Sequence, residues 1–66
     1  MNAGQTIRVR YEMEKATPGT IRYREVDSHG NPPSSIEEAV APTLYIRKTA
    51  LGDSIPQQLE VTITAR

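Results

Sequence analysis

The chain has 66 residues, 36% hydrophobic and 24% charged; its eight Lys/Arg balance eight Asp/Glu, and it contains no Cys, Phe or Trp. Those values allow one small domain over 1–66 and exclude a disulfide framework or a thiolate metal site. They also remove the basic signature of a dedicated duplex-DNA binder and the acidic one of a DNA mimic.

The longest purely apolar runs are three residues, as in Leu44-Tyr45-Ile46, so no membrane span is expected. Met1-Asn2-Ala3-Gly4-Gln5 has neither a charged n-region nor an apolar h-region. A signal peptide is therefore not expected, and the cysteine-free composition fits the cytoplasm. Ile, Leu and Val together number thirteen. A chain of this length buries only about 60% of its unfolded surface. Without Phe, Trp, disulfide or metal, it is expected to gain stability by associating with another chain.

Residues 6–14 alternate strictly, with Ile7, Val9, Tyr11 and Met13 on one side and Arg8, Arg10, Glu12 and Glu14 on the other. Period two predicts a half-buried strand. Pro18-Gly19 suits the centre of a type II turn, and alternation resumes over 20–26 with Ile21 and Tyr23 apolar. Aligning the apolar faces requires paired residue numbers with an even sum. A sum of 34 sets Tyr11 opposite Tyr23 and Glu12 opposite Arg22, but also puts Arg10 against Arg24, a like-charge clash.

Residues 27–42 break the pattern at Gly30, Pro32 and Pro33, and Pro42 closes the segment. Within it, Ser35-Ile36-Glu37-Glu38 fits a capping box. The segment is expected to be a mobile loop or a short helix laying Ile36 and Val40 over a sheet edge. A third strand is expected over 43–49, with Leu44 and Ile46 on one face and Tyr45 and Arg47 on the other. Gly52 and Pro56 mark a loop, and Leu59, Val61 and Ile63 alternate with polar residues in a last strand over 58–65.

These elements predict an all-β fold: a four-stranded antiparallel sheet of two hairpins joined by a long central segment. One apolar face has no helix to cover it, and such a patch exceeds what monomers normally expose. Either the sheet curls on itself, or two copies pack face to face as a sandwich or barrel. The reading favours a homodimer whose core holds Val9, Tyr11, Ile21, Tyr23, Ile46, Val61 and Ile63.

Thr43 through Gly52, followed by Pro56 and Leu59-Glu60-Val61-Thr62-Ile63, resembles a family of short uncharacterised bacterial and phage-encoded proteins. In that family a Thr-Leu-Tyr-hydrophobic-basic segment leads into Ala-Leu-Gly and a closing Val-Thr-Ile strand. Lys15 to Glu25 is similar to its opening hairpin, whereas residues 27–42 are longer here. The resemblance implies a small all-β domain and carries no assigned chemistry.

Candidate chemistry is sparse. His29 is the one histidine, and a metal site needs three or four converging ligands, so neither metal nor cofactor is expected. Ser28, Ser34, Ser35 and Ser54 have no elbow motif and no well-placed base, and read as turn and cap residues. Glu12/Glu14 and Glu37/Glu38 read as solvated pairs. No phosphate-binding glycine motif is present, and no small-molecule substrate is evident.

The chain therefore reads as a non-enzymatic, homodimeric accessory or interaction module that engages another macromolecule, of unknown identity, through an Arg-rich face and the 27–42 loop. An alternative is a binder of single-stranded nucleic acid through Arg8, Arg10, Arg22, Arg24, Tyr45 and Arg47, cations and an aromatic on one open face. A further alternative is a phage-type inhibitor acting through a strand edge or the 27–42 loop.

Overall fold

A computed structural model describes residues 5–66. Most of the N-terminal stretch read for a signal sequence, Met1 to Gly4, lies outside the described residues. Four antiparallel strands, β1 (Thr6–Ala16), β2 (Thr20–Val26), β3 (Thr43–Arg47) and β4 (Gln58–Thr64), form one sheet in the order β3-β2-β1-β4. The sheet curls into a half-barrel. Its smallest dimension is 17 Å, room for one sheet and a layer of loops.

Alternation sorts the side chains as expected. Ile7, Val9, Tyr11 and Met13 turn inward beside Ile21 and Tyr23, with Leu44 and Ile46 on one flank and Leu59, Val61 and Ile63 on the other. Val9, Tyr11, Ile21 and Tyr23 are buried to 5% exposure or less by this one chain. Four residues assigned to a dimer core are thus covered without a second copy. The curl and two connections cover them: Ala41 from the first, Leu51 and Ile55 from the second, pack on the cluster. Ile46, Val61 and Ile63, the other three, stay half-buried.

The connections are pinned from inside. The Tyr11 hydroxyl donates to the Ala41 carbonyl at 2.7 Å, and the Tyr23 hydroxyl to the Pro56 carbonyl at 2.8 Å. Glu25 occupies the next inward position of β2, directly opposite Tyr11, and is buried. Its Oε1 accepts the N–H groups of Val40 at 2.9 Å and Ala41 at 2.8 Å. A buried carboxylate is tolerated when donors surround it, and here they belong to the segment it fastens. Burial, and secondarily the charge of Glu25, pushes the Tyr11 phenol above its ordinary value, while burial alone does so for Tyr23.

Several sequence expectations are corrected. The β1–β2 hairpin pairs Tyr11 with Glu25, Glu12 with Arg24 and Met13 with Tyr23, then slips at Glu14 so that Lys15 meets Arg22 and Ala16 meets Ile21. This bulge extends β1 by two residues and shortens the loop to 17–19, and it breaks the even-sum rule, which assumes an unbroken ladder. Arg10 faces Val26, so the expected Arg10/Arg24 clash does not occur. Gly19 does not adopt positive φ, which excludes the type II turn. Instead Thr17 closes the loop, its N–H donating to the Thr20 carbonyl at 2.8 Å and its hydroxyl to the same oxygen at 2.9 Å.

Residues 36–38 form a single 3-10 turn in which Ser35 makes no side-chain cap. The Ser34 hydroxyl donates to Glu38 instead. Ile36 and Val40 are 74% and 55% exposed, so they do not cover the sheet. The third strand ends at Arg47, two residues early, because Lys48–Leu51 winds into one helical turn. Gly52 terminates that turn at φ +81°, a conformation that favours glycine.

Candidate interaction surface

The outer face of the sheet collects the charged residues. Arg8, Arg10 and Glu12 of β1 lie across from Thr62, Glu60 and Gln58 of β4, and Arg22 and Arg24 of β2 across from Tyr45 and Thr43 of β3. Arg47 pairs with Thr20 on the same face. All six residues proposed for nucleic-acid contact therefore share one side, as strand alternation requires.

They are not equivalent. Arg24 Nη2 lies 3.1 Å from Glu12 Oε1 and hydrogen-bonds to it. Arg22 Nε approaches Glu14 Oε1 to 2.8 Å, close but out of line for a hydrogen bond. The Tyr45 hydroxyl foremost, and then the charge of Glu14, hold the Arg22 guanidinium above its ordinary value. Among the described residues these are the two ion pairs, leaving Arg8, Arg10 and Arg47 without one. The bulge adds Lys15, opposite Arg22, a cation that the simple alternation had put in the loop.

The cations follow a diagonal. Arg47 is level with Thr20 at the start of β2, and Arg8 lies two positions past the level of Val26 at its end. At about 3.4 Å per residue the line extends on the order of 27 Å. Tyr45 stands beside it, 65% exposed.

The remaining candidates are structural. The Asp27 carboxylate accepts the N–H of His29 at 2.8 Å and of Asn31 at 3.0 Å, which closes an Asx turn around Gly30 at φ +82°. Those donors, Asn31 first, hold the Asp27 carboxyl below its ordinary value. An open cleft of about 420 Å³ beside this turn is lined by Arg10, Asp27, His29 and Glu60 among others, and its mixed charge selects neither anion nor cation. No group of three or more His, Cys, Asp or Glu is placed to hold a metal among the described residues. No helix among them is long and apolar enough to cross a membrane.

No family model, curated protein or solved structure matches this chain.

Proposed function

We propose that the chain is a non-enzymatic interaction module whose working surface is the outer face of its sheet. The observation that carries this reading is the diagonal of cations on which Arg8, Arg10 and Arg47 have no ion-pair partner. An arginine that serves only solubility is normally balanced by neighbours, as Arg22 and Arg24 are here. Arg8 and Arg47 face threonines across the ladder, and Arg10, though opposite Glu60, makes no ion pair with it; the sheet fixes the spacing of these cations, which suits an extended anionic partner.

Exposed Tyr45, beside the line near its Arg47 end, favours single-stranded nucleic acid among such partners, because a base can stack on the ring while phosphates meet the arginines. Fluorescence anisotropy of a labelled single strand at about 50 and 200 mM salt tests it. Three phosphate contacts predict affinity roughly 20-fold weaker at the higher salt. Exchanging Arg8 and Arg10 for Ser should flatten that dependence, and Tyr45→Ala should weaken binding at both salts. Absence of binding at low salt removes the nucleic-acid reading and directs the same face to an acidic protein surface.

A further inference from the structure

The two edges of the sheet are built differently. β3 is five residues long, enters from Pro42 and is cut off by the helical turn at Lys48. Short length, proline and flanking cations are the usual means of keeping an edge from pairing. β4 is less guarded: seven extended residues, Gln-Leu-Glu-Val-Thr-Ile-Thr, with no proline or lysine among them and one charge, Pro56 and Arg66 standing two residues beyond its ends. Its strand partner is β1 alone.

The ladder shows which groups are left over. Met13 N–H donates to the Gln57 carbonyl at 2.8 Å, and Ala65 N–H to the Gln5 carbonyl at 3.0 Å. The odd-numbered residues of β4 therefore turn their backbone groups toward β1. Gln58, Glu60, Thr62 and Thr64 turn theirs outward. Four donors and four acceptors stand in a row along this less guarded edge.

We propose that this edge pairs with the same edge of a second copy, antiparallel about a two-fold axis at Val61, joining two half-barrels into one eight-stranded sheet. Full overlap of the seven residues sets Gln58 opposite Thr64 and Glu60 opposite Thr62 of the second copy. All four outward residues are then in hydrogen-bonding positions. The same register puts Val61 opposite Val61 and Leu59 opposite Ile63 on the inner face, where each is now half-buried. A shift of one pairing step in one direction would oppose Glu60 to Glu60, a like-charge contact. A shift in either direction would also shorten the overlap by two of its seven pairs. The strand is thus self-complementary in charge, apolar pattern and hydrogen-bond phase, which is what an isologous interface demands. On the outer face the pairing brings Arg8 and Arg10 of both copies around the axis.

The absence of native cysteine makes the register directly testable. Oxidised Val61→Cys should run as a covalent dimer on a non-reducing gel, since a non-hydrogen-bonded pair sits within disulfide reach. Thr62→Cys alone should run as a monomer on that gel, its sulfurs being out of reach of each other in the paired chains, whereas a mixture of Glu60→Cys and Thr62→Cys should give the mixed covalent dimer. The unaltered chain should sediment with twice the monomer mass. Thr62→Pro removes an outward N–H without touching the β1 ladder and should sediment as a folded monomer. A monomeric unaltered chain overturns the proposal. So does a dimer that persists in Thr62→Pro, which would place the contact on another surface. The sedimentation arms decide the matter even if Val61→Cys fails to fold.

Discussion

Two connections cross the inner face of the half-barrel, and they are fastened unequally. The first, leading into β3, is held by the Tyr11 hydroxyl, by Glu25 Oε1 taking two N–H groups, and by Glu25 N–H donating to the Pro42 carbonyl at 3.0 Å. The second, leading into β4, is held by the Tyr23 hydroxyl and by the Met13 to Gln57 bond. Its apolar residues Leu51 and Ile55 do the packing, whereas the first contributes only Ala41. A segment with little apolar surface needs polar anchors, and a segment with leucine and isoleucine needs fewer. The buried carboxylate is thus placed against the connection whose own sequence, rich in Ser, Pro and Glu, has least to bury.

The largest effect should come from Glu25→Ala, which strands the Val40 and Ala41 donors. A loss of about 2–4 kcal/mol in urea unfolding is expected. Hydrogen exchange should quicken at those two amides more than at Met13. Equal loss of protection in both connections would show that they are fastened as one unit.

Tyr11→Phe and Tyr23→Phe each remove a hydroxyl donor from a carbonyl, at about 1–2 kcal/mol apiece. The unequal anchoring predicts that Tyr23→Phe loosens its connection more, because Tyr23 has no carboxylate helper. Proteolysis after each substitution should cut near 52–56 in the second and spare 36–42.

The phenols also set an alkaline limit. Their folded values lie above the ordinary value of 10.0, so the folded state holds these protons more tightly than the unfolded chain does. Stability from this source is full below about pH 10 and is lost as pH rises through the folded values. Each Tyr→Phe variant should make the alkaline decline shallower, as followed by circular dichroism.

The smallest effect belongs to the outer face. Arg24→Ala, which breaks the half-exposed pair with Glu12, should cost less than about 1 kcal/mol. A larger cost would make that pair part of the scaffold rather than of a surface free to bind.

The inward position of Glu25 was open to reading: Ile21, Tyr23 and Glu25 share one phase, and a carboxylate in an apolar phase signals a buried anchor. Its partners were not, because Val40 and Ala41 lie fifteen and sixteen residues away across an irregular loop. The outer face was legible except at Lys15, since period two assigns sides only along an unbroken ladder and the bulge brings Lys15 onto it. Its electrostatics were not: pairing sums shift with the bulge at Glu14, and the shift replaces an Arg10/Arg24 clash with an Arg24–Glu12 bond.

By itself, then, the sequence determines four strands, their inner and outer residues, and the lack of a helical layer, because these follow from side-chain alternation and from where proline and glycine stand. Only the tertiary structure decided that one chain can cover its own core. Curling brings two loops over the inner face, and the tyrosine hydroxyls that hold them find carbonyls thirty and thirty-three residues away. Local pattern carries no information about contacts at that separation; closure of the sheet supplies it.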